Sequence, residues 1–572
     1  TGECEQTLEG HSNFFNNNSA NNPFFSQRNS LSFHTGNINN FKFYGRLSYA
    51  ATDGFRDRSN SELSSYTFSL HYKYKKHQFQ LNAWGGVQQN QLSYLGLSPA
   101  DFEANPRINY LAANEKDKFR QFFYQLNHSW VINPNLVINN SVYFVKGNAP
   151  YFLVNFYGTS YSYLNLPDPV IGSDTITSSD ALVNYQLNQN LLGFFSNVKY
   201  IKGKTVLSAG IHANRFISDH FMDVEQLSIW PSGFIAPHRV YFNTGYKNEI
   251  SAFAKVERNW SGGRTQTFAE LQLRNAQFKY RDQNPLMNGL VEDMNWFFIN
   301  PKIGANIILN SKSKVSASIA RAYREPTRFD YFLDDLAYGP INQSNIKPES
   351  ITDFELGYKF QSKKLLIQAN VFYLYLNNLI ANTGQLNQFG ASFTQNTGTG
   401  ERYGIETQIN YQIIKGLNLY HTGSIMKSII HRYEQFYNIN DSTNIPVVYE
   451  NTDAALTPNI ILNQGIKYQL GKFVFDFSHR FVSSQFLDNT ENENLKLKSF
   501  HLFNFSTFYQ VNQKLNLSLR LLNIGDKIYA PSGSVFGNAA SLANDGTVIP
   551  ARQAYWFVGT PFMVNFGLRI NL

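Results

Sequence analysis

The chain has 572 residues, of which only 16% are charged, against roughly 25% in ordinary soluble domains; aromatic residues are also 16%, with 49 Phe, 34 Tyr and 6 Trp. Mean hydropathy is -0.34, and no run reaches the ~18 consecutive apolar residues of a membrane helix. The net charge of +8 is spread along the chain, which suits an anionic ligand or a lipopolysaccharide contact and excludes the concentrated basic face of a nucleic-acid binder.

In chain order, residues 1–26 form an irregular, Asn-rich segment, with a possible remnant of a strand around Phe14–Phe15. From residue 27 onward the dominant pattern is alternation of apolar and polar side chains at period two, the signature of a strand with one greasy face. Tyr66, Phe68, Leu70, Tyr72 and Tyr74 alternate with Thr67, Ser69, His71, Lys73 and Lys75. Phe297, Ile299, Pro301, Ile303, Ala305, Ile307 and Leu309 form a second apolar face, and Leu515, Leu517, Leu519 and Leu521 a third. In the last segment Phe562, Val564, Phe566, Leu568, Ile570 and Leu572 alternate with Met563, Asn565, Gly567, Arg569 and Asn571. This pattern predicts strands at 27–35, 40–52, 64–75, 77–90, 118–132, 135–146, 184–200, 204–215, 247–259, 264–280, 296–310, 313–323, 350–361, 363–379, 401–414, 417–429, 456–470, 472–484, 497–511, 514–529 and 551–572.

The connections alternate in length. Tight turns such as 133–134, 311–312, 415–416 and 471 separate long polar stretches at 91–117, 147–183, 216–246, 324–349, 430–455 and 530–550. Short turns on one side and long loops on the other are the habit of outer-membrane barrels, and a lipid-facing sheet must close because no backbone group can go unpaired in hydrocarbon. A soluble all-β protein is the competing class, but no propeller or solenoid repeat is present. The fold class is therefore an antiparallel transmembrane β-barrel. Twenty-one strands are recognised, yet such barrels generally have an even number. The segment 27–35 descends into a tight turn, so one earlier strand must ascend, giving 22 with the first one degenerate or missing.

Open porins have 16–18 strands, whereas 22-stranded barrels are plugged transporters. A plug domain is therefore expected before the barrel. Residues 1–26 are too few for an independent core, so the plug is read as absent from this sequence: cut off, supplied elsewhere or lost. The start at Thr1 without a signal peptide is read as processing or truncation. The domain plan is thus a 1–26 segment and a 27–572 barrel.

Enzyme chemistry finds no footing. There is no G-x-S-x-G elbow, no H-E-x-x-H arrangement among the 12 histidines, and the single cysteine, Cys4, rules out an intramolecular disulfide. No metal site, cofactor or catalytic residue is expected.

Several segments resemble TonB-dependent outer-membrane receptors, especially the ferric-citrate-receptor-like branch, over residues 27–572. The similar segments are Thr52-Asp53-Gly54-Phe55-Arg56-Asp57-Arg58-Ser59, Tyr323-Arg324-Glu325-Pro326-Thr327-Arg328, 349–358 with its Phe354-Glu355-Leu356-Gly357-Tyr358, Thr383–Asn387, Tyr403-Gly404-Ile405-Glu406, Gln485–Thr490, Leu522–Tyr529 and the closing strand Phe562–Leu572. Two departures stand out: nothing corresponds to the plug and its TonB-contacting box, and the chain ends in Leu572 rather than an aromatic residue. The resemblance implies a monomeric barrel in the outer membrane of a Gram-negative cell, in contact with its lipid. Such a barrel takes up a scarce nutrient, a ferric siderophore or other ferric chelate, and couples to the TonB-ExbB-ExbD complex through the missing N-terminal region. The alternatives are an unplugged passive channel or surface-binding barrel, or a truncated receptor without transport activity.

Arg324 and Arg328 are the leading ligand candidates, because a guanidinium fork matches a carboxylate or citrate-like group. The competing and favoured expectation is that they pair with Glu325, Asp330, Asp334 or plug carboxylates and hold the loop. Gln385, Asn387, Tyr94 and Tyr338 lie in expected external loops as further ligand contacts, with plain solvent exposure the commoner fate of loop residues. Lys42, Arg46 and Glu406 fall on polar strand faces and are expected to face the lumen, where they could seat the plug.

Overall fold

The computed structural model describes residues 5–14, 24–282, 291–331, 346–386, 392–440 and 443–571. One antiparallel sheet dominates. Its wall strands run β1 Glu5–Phe14, β2 Phe25–His34, β3 Phe41–Thr52, β4 Ser61–Tyr74, β5 His77–Gln91, β6 Lys116–Asn133, β7 Leu136–Ser160, β8 Ser178–Lys202, β9 Thr205–Leu227, β10 His238–Trp260 and β11 Thr265–Asp282. They continue with β12 Val291–Asn310, β13 Ser313–Arg324, β14 Glu349–Gln361, β15 Leu365–Asn377, β16 Thr399–Ile414, β17 Leu417–Asn440, β18 Ile460–Leu470, β19 Phe473–Val482, β20 Phe500–Gln510, β21 Leu515–Leu522 and β22 Met563–Asn571. Each pairs with its sequence neighbours, and β1 pairs with β22 from Thr7↔Asn571 to Phe14↔Val564, so the wall closes. The strand that an even count requires upstream of Gln27 is thus Glu5–Phe14. A further strand, Thr443–Asp453, pairs only with the upper part of β17.

The turns follow from local chemistry. Asn133, Asn310 and Asn512 each accept a hydrogen bond from the backbone N–H two residues on, at 2.9, 2.9 and 2.8 Å, the side-chain mimic of a turn. Gly416 and Gly471 sit at φ 86° and 56°, where a Cβ is penalised. On the opposite rim, the external one by its long connections, several ladders run farther than the alternation indicates. Residues 147–160 and 216–227 continue β7 and β9 rather than forming loops. Register shifts at Leu182/Val183 and Met222/Asp223, where Glu225 and Val240 are the extra residues, interrupt the period in these upper ladders. The extensions are held by a core of their own around Tyr161, Leu164, Val183, Met222, Val224 and Tyr241. The expected strand 551–572 is divided: Gln553–Phe557 joins Ser532–Phe536 in a loop hairpin, and only Met563–Asn571 enters the wall.

The outer face of the wall carries large apolar side chains that are bare. Ile250 is 64% exposed and Phe297 60%, and Leu47, Leu192, Ile303 and Leu356 are likewise exposed. Among the described residues the buried apolar clusters lie in the strand extensions and loops, so the sheet's greasy face has no second protein layer over it. Among the described residues no helix is long and apolar enough to cross a membrane; the crossing elements are strands. Leu356→Arg, on the outward face of β14, is expected to cost about 2–4 kcal/mol if it lies near the bilayer midplane. Glu355→Arg, on the opposite face, should leave the urea midpoint in lipid vesicles almost unchanged.

Candidate functional site in the lumen and mouth

Alternation assigns the inward face. On β3 the outward Leu47 and Tyr49 flank Ser48, and Arg46 shares that inner face: its Nε donates to Ser48 Oγ and its Nη2 to Ser30 Oγ, both at 3.2 Å. Lys42 lies on the same face, opposite His71. On β16, Tyr403 and Ile405 point outward and Glu406 inward, into a polar groove of about 560 Å³ that Lys314, Lys359, Gln368, Asn370 and Gln408 also line. Lys42 and Arg46 therefore share the inner face of β3, and Glu406 lies on that of β16.

At the mouth the two candidate arginines diverge. Arg324 ion-pairs with Glu349 across the β13–β14 ladder. Arg328, in the short helix Arg328–Tyr331, donates from Nη2 to Asn243 Oδ1 at 2.7 Å and lies 5.2 Å over the Tyr280 ring. The expectation that they pair with Glu325 or Asp330 is corrected for Arg324, whose partner is Glu349. Glu325 is engaged from the wall, and Asp330 accepts from Thr327 N and Oγ1 at 2.6 and 2.7 Å. Tyr94 packs against Phe152 at 6.1 Å, and burial, with Glu115 nearby, raises its phenol pKa. Gln385 belongs to the strand Ile380–Leu386; Asn387, Tyr338 and Asp334 lie outside the described residues.

The densest polar arrangement is one that sequence reasoning passed over. Glu325 receives Arg274 Nη1 and Nη2 at 2.7 and 2.8 Å and Lys247 Nζ at 2.6 Å. Arg274 Nη2 also binds Glu249 at 2.7 Å. Glu249 lies 4.0 Å from His212, which meets the Tyr143 hydroxyl at 2.8 Å. Tyr143 reaches this point by lying across Gly193, where an added Cβ would sit 2.0 Å from its ring. Beyond it the ring series continues through Phe123 to Trp84 at 6.0 and 4.0 Å. Two cations and two carboxylates balance. Burial alone would raise the Glu325 carboxyl, but the hydrogen bonds from Arg274 and Lys247 overcome it and hold the pKa at about 2.

The external loops are fixed from below. Arg56 Nε donates to Ile108 O at 2.8 Å, and its Nη1 to Ser93 O and Leu95 O at 2.7 Å each. Arg58 binds Asn109 O and Leu111 O at 2.7 and 3.0 Å. The Thr52–Ser59 segment is thus a clasp for loop 92–115. That loop joins the loop before β22 through reciprocal backbone bonds between Leu97 and Trp556, at 2.9 and 2.8 Å. The loop between β19 and β20 is attached to the same rim by the buried pair Asp488–Arg552. Among the described residues no group of three or more His, Cys, Asp or Glu is placed to hold a metal ion.

Two outcomes follow. Glu325→Ala, which leaves Lys247 and Arg274 without their shared carboxylate, should cost about 3–5 kcal/mol, read as thermal unfolding in detergent, and Glu325→Gln less. Because the folded pKa lies below the unfolded one, the Glu325 contribution is complete above about pH 4.5 and disappears as pH falls toward 2; Glu325→Gln should lack that acid-dependent component. Arg56→Ala should make residues 92–111 sensitive to limited proteolysis while the barrel stays resistant, since each charge-assisted bond lost is worth about 1.5–3 kcal/mol.

The profile of the family described as "TonB dependent receptor-like, beta-barrel" matches residues 6–524. Among solved structures, the ferric citrate transporter FecA is 14% identical, with TM-score 0.74, covering 99% of this chain and 78% of its own. The Escherichia coli ferric-catecholate import receptor Fiu is 15% identical, with TM-score 0.72, covering 100% and 82%. The copper transporter OprC is 14% identical, with TM-score 0.71, covering 100% and 81%. At these identities the likeness is one of fold. No curated protein sequence matches the chain significantly. The family match extends over most of the closed wall, and the chain accordingly belongs to the TonB-dependent receptors, transport receptors of the outer membrane, as their β-barrel.

Proposed function

We propose that this barrel forms the wall and ligand-receiving mouth of an energy-coupled importer for a scarce nutrient, of the ferric siderophore or ferric chelate class, in the outer membrane of a Gram-negative cell. The observation that carries this reading is the 22-stranded closed wall with a polar, charged inner face, a bore that in this size class is occupied by a plug. Structural neighbours named for ferric citrate and ferric catecholate support the iron class; the neighbour named for copper makes another metal cargo the natural comparison.

In this reading a plug domain sits in the lumen against Lys42, Arg46 and Glu406, and the TonB-ExbB-ExbD complex acts on it from the periplasmic side. Of the mouth residues, Arg324 and Arg328 are the leading candidates for ligand contact. Arg328 contacts Asn243 and the Tyr280 ring, and Arg324 pairs with Glu349. Tyr94, Gln385, Asn387 and Tyr338 are the secondary candidates for contact with the ligand.

The test is uptake of radiolabelled iron by whole cells carrying the receptor, offered as ferric citrate, as a ferric catecholate, and in parallel as labelled copper. Energised cells should accumulate one iron chelate, and collapse of the proton gradient should abolish accumulation. Arg328→Ala should reduce uptake roughly tenfold, the scale of one charge-assisted contact, with normal barrel assembly on heat-modifiability gels. Uptake that persists without the gradient would instead identify a passive channel.

A further inference from the structure

We propose that the outward face of β9–β11 carries a binding site for the phosphorylated headgroup of an outer-leaflet lipid, seated between Arg215 and Arg281 around Tyr246. The site is independent of the imported cargo and requires only that the wall stand in a membrane.

Alternation places all three side chains on the lipid side. Arg215 follows Ile211 on the outward face of β9, Tyr246 precedes Ile250 on that of β10, and Arg281 follows Leu271 and Leu273 on that of β11. They lie on the loop side of these apolar residues, where an outward face of this kind passes from acyl chains to headgroups. Both guanidinium groups approach the one Tyr246 ring, Arg215 at 5.8 Å and Arg281 at 5.6 Å. Both arginines are exposed, and among the described residues neither has a carboxylate within ion-pair distance.

The surroundings make this more than a solvated charge pair. Lys279, opposite Tyr246, is neutralised by Asp293 at 2.5 Å. Asp219 accepts from Thr244 Oγ1 at 2.8 Å. The lumen arginine Arg274, one strand face away, is fully matched by two carboxylates. Arg274 inside the barrel is thus matched by carboxylates, whereas among the described residues Arg215 and Arg281 outside it are not. A guanidinium stacked on a ring keeps its N–H edges free for an oxyanion, and its planar fork suits phosphate. Directly below lie Ile211, Ile250 and Phe297, all exposed, a surface for acyl chains. Charge above and hydrocarbon below match an amphiphile with a phosphoryl group, not a free anion.

The test uses the whole chain in dodecyl maltoside, with dioleoyl phosphatidic acid as probe and dioleoyl phosphatidylcholine as reference, counted by native mass spectrometry. The wild type should retain phosphatidic acid preferentially. R215Q/R281Q should lose roughly tenfold of that preference, the single variant R281Q a smaller part, and R215K/R281K should keep some of it. R264Q, a matched charge loss at the opposite, tight-turn end of β11, should behave as wild type. Equal retention of the two lipids by the wild type, or unchanged retention by correctly folded R215Q/R281Q or R281Q, overturns the proposal.

Discussion

A peptide group in hydrocarbon has no water to bind, so every N–H and C=O of a membrane-crossing sheet must find a partner within the protein. That constraint explains why β1 exists. Without Glu5–Phe14 both β2 and β22 would present an open edge to lipid; with it, each edge is consumed by a ladder and the wall is continuous. The even strand count, the alternation of turns and loops, and the placement of both ends of the wall on the short-turn side all follow from closing an up-and-down sheet on itself.

Closure divides the side chains into two solvents. Outside, large aliphatic and aromatic groups meet lipid and need no protein partner. Inside, polar groups face a lumen in which unmatched charge is costly, and the chain Lys247–Glu325–Arg274–Glu249 shows the consequence: two positive and two negative groups interlocked across β10, β11 and the start of a loop. Glu325 stays ionised because its neighbours outweigh its desolvation. The same network anchors the base of the loop that carries Arg328, so the mouth is braced by the wall rather than by its own loop.

The rim uses a second device. Loops would be free to move if held only at their ends, but here arginines from one loop cap the carbonyls of another, and small apolar clusters exclude water between them. The family-like segment around Arg56 and Arg58 is explained by this role. Its guanidinium groups are spent on backbone oxygens of loop 92–115, a structural task that motif similarity alone does not distinguish from ligand binding.

Period-two alternation in segments such as Tyr66–Tyr74 and Leu515–Leu521 made the barrel, its inner face and the lumen positions of Lys42, Arg46 and Glu406 legible, because a strand's facing is a local property of the backbone. The even-number rule required a strand upstream of Gln27, but the Asn-rich sequence there did not show where it lay. The long extensions of β7 to β10 were harder to read for a related reason: β-bulges interrupt the period at Glu225 and Val240. What the tertiary structure alone decided was pairing between distant residues. Glu325 meets Arg274 and Lys247, Arg324 meets Glu349, Arg56 meets Ser93, and Arg215 and Arg281 converge on Tyr246, each through the register of neighbouring strands or the docking of separate loops. Alternation tells which side of the sheet a charge occupies; which opposite charge stands beside it depends on how far each strand has slid against the next, and that is set by the closed ring as a whole.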